Sequence, residues 1–428
     1  MAKTETDSAQ KFDDLPAGAH TTALMFGRSY IYRLAGRMLW GFRHDFFYIW
    51  RRFGWRSAWS FLYTKLFVPA GEGSGSGLYF LFNHLVRRYP QLAPFPRYVE
   101  MEHTTICNKR CIMCEHTFWN DQAEHHTSFD DVKRMLDQFP GIRWVHLTGE
   151  GSSYQNPDFL RMMEYVRRER QAALYIVDHL SDIGENELRH MIKFGLFGVY
   201  ISIDAATPDT YRQIRKGCNW KNVQQNIRDL IRLKKELKSP IPEICFRFII
   251  LKENIHEIVP FLDMVAEFAT PENRPWINSG GVRVEFVGNL EFKDTLSHSV
   301  YRVPQETLRE VVRKTQAYGF NTFFFHTEVD KLASIAQCYS WLEPYIMDGG
   351  YVLPCCAVLM SNSRTQLREL AFGNLHQQNF CDIWNSERYR RFRQYVNDMS
   401  KPVPSFCTIC RSFAYKKRLQ EKGADMKT

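Results

Sequence analysis

Cys107-Asn108-Lys109-Arg110-Cys111-Ile112-Met113-Cys114, CNKRCIMC, is the stretch whose reading decides the fold. Three thiols lie within it and it offers no fourth. A closed structural zinc site takes four ligands. An iron–sulfur cluster held by only three thiolates keeps one iron open for another ligand. Lys109 and Arg110 stand between the cysteines and help hold them as thiolates. A zinc ion completed by His116, His125 or His126 stays open as the alternative, because a short cysteine motif alone matches many unrelated chains.

The flanking sequence narrows the choice. Strand patterns at 98–103, 144–148, 173–177, 199–204, 244–251 and 282–287 alternate with helix patterns at 128–138, 157–169, 185–194, 208–215, 220–237 and 255–268. Such alternation predicts parallel βα units. Six units make a partial barrel rather than the closed eight-stranded one, and the thiols fall in the loop after the first strand, on the face where barrel enzymes place chemistry. Side-chain parity carries a second signal. In Val199-Tyr200-Ile201-Ser202-Ile203-Asp204 the apolar residues alternate with Tyr, Ser and Asp, so one set meets the helices and the other the lumen. The same parity turns Glu100, Glu102, His146, Thr148, Arg247, Arg283 and Glu285 inward. A structural lumen is filled with Val, Ile and Leu; a charged one implies a binding cavity, with wet edge strands as the competing explanation.

Composition bounds the rest. The 428 residues are 44% hydrophobic, enough for more than one core. The eleven cysteines are odd in number and clustered, which argues against a secreted disulfide scaffold. Net charge is +9, which favours anionic partners. No run of about 18 uncharged apolar residues occurs, so no spanning helix is expected.

Between Phe26 and Phe67 lie fifteen aromatic residues, interleaved with Arg28, Arg33, Arg37, Arg43, Arg51, Arg52, Arg56 and Lys65. Two readings fit: interfacial helices on an anionic membrane surface, or helices packed on the core or a second subunit. Nucleic-acid binding is not expected, since no recognition module is visible. The expected organisation is a disordered tail at 1–22, an aromatic and Arg-rich helical region at 23–70, a linker at 71–93 containing "GEGSGSG", the barrel at 94–300, a connecting helix region at 301–334, a cysteine-rich domain at 335–415 and a tail at 416–428.

C-x3-C-x2-C after the first strand of a six-unit barrel resembles the radical S-adenosylmethionine (radical SAM) superfamily. The resemblance implies that Cys107, Cys111 and Cys114 bind a [4Fe–4S] cluster whose open iron chelates S-adenosylmethionine. Reductive cleavage then gives a 5′-deoxyadenosyl radical that abstracts hydrogen from substrate, with a flavodoxin- or ferredoxin-type reductant. "LTGEGSSYQNPDF" resembles the family's second-strand motif and implies cofactor contacts from Thr148, Gly149, Glu150, Gly151 and Ser152. Ser152 stands where many members carry a glutamate, with Glu150 as a substitute. By the same resemblance Met113 packs near adenine, Ser202 and Asp204 lie near the ribose and methionine, and Arg247 points inward. "IVDHLSD" departs from the family's third-strand turn, which gives Asp178 and His179 a substrate-specific role.

Cys338, Cys355, Cys407 and Cys410, with "DIWNSERYRRFR" between, resemble the SPASM or twitch extension and imply one auxiliary [4Fe–4S] cluster. Cys356 and Cys381 are expected to be free, and Cys218 and Cys245 to be core or cavity residues. The implied activity is a radical SAM oxidoreductase or transferase, peripheral on the membrane or cytoplasmic, acting on a small molecule that is lipid-linked or phosphorylated. A peptide or protein maturase of the same superfamily is the alternative. A non-catalytic zinc protein binding anionic partners is the alternative of another class.

Overall fold

The computed structural model describes residues 28–67, 85, 89, 95–289, 292–300, 302–325, 342–361, 363–396, 398, 400–401 and 404–407. Helices α1 (Arg28–Phe53) and α2 (Trp55–Phe67) come first. The barrel follows as β1 (Tyr98–Met101), α3 (Phe129–Asp137), β2 (Trp144–Leu147), α4 (Phe159–Glu164), β3 (Ala173–Asp178), α5 (Glu185–Phe194), β4 (Gly198–Ser202), α6 (Pro208–Ile214), α7 (Trp220–Glu236), β5 (Glu243–Ile250), α8 (Ile258–Phe268), α9 (Arg274–Ile277), β6 (Arg283–Gly288), α10 (Gln305–Tyr318) and β7 (Asn321–Phe325). The C-terminal part adds β8 (Tyr345–Met347), β9 (Tyr351–Leu353), α11 (Arg364–Leu370), α12 (Phe380–Asn385) and α13 (Glu387–Tyr395).

All nine strands form one sheet in the order β7-β6-β5-β4-β3-β2-β1-β8-β9, parallel except for the β8–β9 hairpin. The sheet runs beyond the six strands that the sequence pattern predicts, with β7 parallel to β6 at one edge and β8 parallel to β1 at the other. Asn321–Phe325 is buried at every position, so it lacks the alternation that marks a half-buried strand. Asp348-Gly349-Gly350 turns the chain from β8 into β9, and this hairpin joins the barrel edge: Glu100 and Met101 of β1 pair with Tyr345 and Ile346 of β8.

Local chemistry sets the boundaries. Ser128, Thr207 and Asn219 cap α3, α6 and α7, each side-chain oxygen accepting an N–H of the first turn. Gly195 ends α5 at φ +73°. The apolar face of the sheet, including Val145, Leu174, Ile201, Phe246 and Phe286, is buried under the helices. Rings of Phe248, Phe261 and Phe286 meet there in edge-on contacts at 4.9–6.0 Å.

Helices α1 and α2 close the N-terminal end of the barrel. Ile49, Ala58 and Phe61 join a separate buried cluster with Tyr98, Trp144, Ala173, Tyr175 and Phe197, where strands begin. Polar contacts fix the docking: Ser279 donates to Asp45 at 2.5 Å, and Ser60 to the Gln171 carbonyl at 2.7 Å. Gly41 lies so close to Gly280 that a Cβ would sit 2.4 Å from its nitrogen. Packing on the core is therefore how the inner face of this region is used. The expected tails at 1–22 and 416–428, and all of the 71–93 linker except residues 85 and 89, lie outside the described residues.

Candidate active site

Cys107, Cys111 and Cys114 occupy the loop beyond β1 at the C-terminal end of the barrel. The loop is stitched to the chain after α6: the Arg110 and Ile112 N–H groups donate to the carbonyls of Lys216 (3.0 Å) and Ile214 (3.1 Å). Lys109 is buried and donates to Asp182 at 2.6 Å and to the Gly217 carbonyl at 2.9 Å. Thr117 Oγ1 donates to the Cys111 carbonyl at 2.8 Å. Met113 is buried beside Cys111, Ile214 and Leu251. The loop is thus held by groups other than its thiols, which stay available as ligands.

The three thiols differ. A hydrogen bond with the Cys218 thiol, then the Arg215 charge, pull Cys111 down to about 7. Burial pushes Cys107 up, and pushes Cys114 well up with the Glu150 carboxylate adding. A coordinating metal deprotonates such thiols outright. Cys218, expected to be a plain core or cavity residue, is therefore a direct neighbour of the site. Among the described residues no three His, Cys, Asp or Glu side chains converge tightly enough for a single ion.

The segment after β2 runs along the same mouth. Gly151 packs against Thr104 so tightly that a Cβ would lie 2.3 Å from its carbonyl oxygen, and Gly149, at φ +154°, faces Glu102 at 2.6 Å. Only glycine admits both approaches. Thr148 is held by its N–H to the Met101 carbonyl (3.0 Å), and Ser152, buried, by its N–H to the Ile106 carbonyl (2.9 Å). Glu150 turns toward the thiol loop, where Cys114 Sγ donates to its Oε2 at 3.4 Å. Burial, then Glu102, push the Glu150 carboxyl up; burial, then Glu150, push the neighbouring Glu115 well up.

The lumen is polar, as the strand parity predicts. Register places Glu100, His146 and Tyr175 in one row, and Ser202, Arg247, Glu285 and Phe323 in another. Tyr98 donates to Glu100 at 2.6 Å, and His146 Nδ1 lies 3.2 Å from the same oxygen. Burial raises the Glu100 carboxyl, but the hydrogen bond and charge of His146 outweigh it and the net direction is down. His146 Nε2 is buried without a hydrogen-bond partner among the described residues. Arg247 donates Nε and Nη2 to Glu285 at 3.0 and 2.8 Å and lies over the Tyr200 ring at 4.3 Å. Arg283 takes the other oxygen of Glu285 at 2.7 Å.

Asp204 is placed differently from its expected ligand-facing position. It is fully buried at φ +63°, and its carboxylate accepts from Arg215 Nε (2.5 Å) and the Ile249 N–H (2.7 Å). Asn254 locks the same corner, donating to the Asp204 and Ile249 carbonyls at 2.8 Å each. Asp178 and His179 are buried at the end of β3. Their side chains cap local N–H groups, those of Leu180 at 2.6 Å and Ser181 at 3.0 Å.

Sequence reasoning missed the link to the C-terminal part. Buried Glu102 accepts the Glu150 N–H at 3.3 Å, the Asp348 N–H at 3.0 Å and the Arg364 guanidinium. Arg364 also stacks over Trp119 at 4.6 Å. No local signal joins positions so far apart in the chain. Cys355 is half-buried and Cys407 buried, on turns that pack together; Cys338 and Cys410 lie outside the described residues. Cys356 is exposed with its thiol beside Glu100, Cys245 is buried beside Glu285, and Cys381 is exposed on α12.

Comparison with known proteins bears on this arrangement. Residues 101–265 match the model of the radical SAM superfamily, and residues 338–411 that of the SPASM iron–sulfur cluster-binding domain. The chain is 24% identical over 328 residues to the tungsten-containing aldehyde ferredoxin oxidoreductase cofactor-modifying protein of Pyrococcus furiosus, covering 73% of this chain and 87% of that protein. Streptococcus suis SuiB bound to S-adenosylmethionine superposes with a TM-score of 0.55 at 15% identity, over 78% of this chain and 74% of that one. SuiB bound to its precursor peptide SuiA gives 0.55 at 14%, over 79% and 83%. A radical SAM domain takes a [4Fe–4S] cluster and S-adenosylmethionine, and a SPASM domain takes auxiliary iron–sulfur clusters. The residues present suit such groups: the thiol donor set suits iron, and Gly149 and Gly151 let the segment after β2 pack directly against Glu102 and Thr104 at the same mouth.

Proposed function

From its membership of the radical SAM superfamily, with a SPASM domain toward its C-terminus, we propose that this chain takes hydrogen from a substrate held in the barrel lumen. The observation that carries the reading is the row Ser202–Arg247–Glu285 in a charged lumen beneath a three-thiol loop. The cluster on Cys107, Cys111 and Cys114, with S-adenosylmethionine, supplies hydrogen-atom abstraction, and the protein positions the reactants and excludes water.

Each part of the chain then has a task. Lys109 and the 214–217 segment hold the thiol loop rigid. Thr148 to Ser152 line the methionine end of the cofactor, with Glu150 or Ser152 at its amino group, and Met113 lies at the adenine. Ser202 and Arg247 form the lumen edge of the cofactor pocket. Arg247 and Arg283, both bound to Glu285, suit a substrate bearing phosphate or carboxylate, as in a phosphorylated or lipid-linked small molecule. Cys338, Cys355, Cys407 and Cys410 hold one auxiliary cluster, which accepts an electron from the substrate or anchors it. A flavodoxin- or ferredoxin-type protein is the reductant.

A second reading is peptide or protein maturation. Its support is the likeness, over most of the chain, to a cofactor-modifying protein and to an enzyme solved with its precursor peptide.

The test is anaerobic purification followed by reduction with S-adenosylmethionine. The expected outcome is a brown, iron- and sulfide-containing protein that forms 5′-deoxyadenosine, and no such product from the Cys107→Ala, Cys111→Ala, Cys114→Ala triple variant. A colourless protein whose thiols are saturated with zinc overturns the reading.

A further inference from the structure

Helices α1 and α2 have an outer face that the core does not use. Phe47, Trp50, Trp55 and Trp59 are 40, 45, 55 and 38% exposed, and these three are the exposed tryptophans among the described residues. The rings of Phe46, Phe47, Trp50 and Trp55 form one patch: Trp50 and Trp55 are 5.6 Å apart edge-on, Phe47 and Trp50 6.1 Å, and Phe46 and Trp55 6.0 Å. Around them Arg43, Arg51, Arg52 and Arg56 are exposed. From residue 41 to 63 the only acidic residue is Asp45, which is buried and bonded to Ser279. An open groove of about 720 Å³ beside the patch is lined by Arg43, His44, Phe47, Tyr48, Arg51 and Arg52. Among the described residues no helix is long and apolar enough to cross a membrane.

We infer that this face docks on an anionic bilayer surface, with the tryptophans at headgroup depth and the arginine groove taking lipid phosphates. Amphipathic Trp rings rest where one side is apolar and the other wet. Surface-lying helices combine such rings with Lys and Arg. Arginine forks bind phosphate in pairs of hydrogen bonds. A second copy of the chain fits the face poorly. A two-fold contact sets the same patch against itself, which would bring the four arginines toward their symmetry mates without an exposed carboxylate in the patch to answer them. The face lies at the N-terminal ends of the strands and the thiol loop at the opposite end, so the mouth opens away from the lipid.

The test uses the full chain, purified anaerobically, with vesicles of phosphatidylcholine alone or mixed with phosphatidylglycerol. Sedimentation at low salt should bring the protein down with the mixed vesicles only, with a blue shift of tryptophan emission, and high salt should weaken binding. Arg51→Gln with Arg52→Gln should weaken binding about 30-fold, at about 1 kcal/mol per basic residue near the surface. Trp50→Ser with Trp55→Ser should abolish the blue shift. Both double variants should keep their circular dichroism and 5′-deoxyadenosine formation in solution, which separates this proposal from the catalytic one. Failure to bind mixed vesicles, equal binding to both vesicle types, or binding unchanged in the variants overturns the inference. So does a dimer that the tryptophan variants convert to monomer while vesicle binding is absent, since the face would then join two copies.

Discussion

At the C-terminal ends of its strands the chain places thiols, glycines and buried charges; at the N-terminal ends it places aromatic rings. The mouth is held by specific bonds, such as Lys109 to Asp182 and Glu102 to Arg364. The floor is held mostly by area, with Phe61 of α2 packed among Tyr98, Trp144 and Phe197, and only a few polar contacts such as Ser279 to Asp45 fix its position. The difference follows from what each end must do. Ligands and clusters need directed polar groups, which are costly to bury unless all are partnered. A plug needs only to exclude water, and apolar surface does that without fixed angles.

Perturbing each end in turn tests this contrast. Arg364→Leu should have the largest effect, because it leaves the buried Glu102 carboxylate uncompensated; removing one partner of such a pair costs about 3–5 kcal/mol. Denaturant unfolding should register that loss, and 5′-deoxyadenosine formation should fall with it, because Glu102 also holds the Glu150 N–H. Phe61→Ala at the floor should cost about 3 kcal/mol, the lower end for a buried aromatic. Product formation per folded molecule should stay unchanged. If Phe61→Ala lowers that activity as Arg364→Leu does, the two ends are not independent.

A further contrast lies in pH. At the mouth, burial pulls His103 down to about 3 from 6.5. The unfolded chain therefore binds a proton that the folded one refuses, and stability falls as pH drops from 6.5 toward 3. At the floor, burial pulls Lys234 down to about 7 from 10.5, so its loss falls between pH 10.5 and 7. Each window has a slope of about 1.4 kcal/mol per pH unit. Chemical denaturation across pH should show His103→Phe flattening the acid window alone and Lys234→Met the alkaline one alone.

Much of this was legible in the chain itself. Strand parity alone turns Tyr200, Arg247 and Glu285 inward, because the period of two is a property of the backbone. The thiol loop was readable because its three ligands are neighbours in sequence. What was not readable depends on distance along the chain. Asn321–Phe325 hides its strand in a fully buried run. Cys218 reaches Cys111, and Arg364 reaches Glu102, only after the sheet has formed. Parity gives the direction of the Asp204 side chain and not its partners, which are Arg215 and the Ile249 N–H.

The pairing of β8 with β1 changes what a domain boundary means in this chain. Family motifs end and begin again between the two halves, yet β8 carries the edge of the barrel and α11, which follows the hairpin, carries the guanidinium that neutralises Glu102. A version cut before the hairpin would bare the hydrogen-bonding edge of its first strand, an invitation to self-association, and would strand a carboxylate in its interior. The two halves therefore share one sheet and one buried ion pair, rather than standing as a catalytic module with a separate accessory.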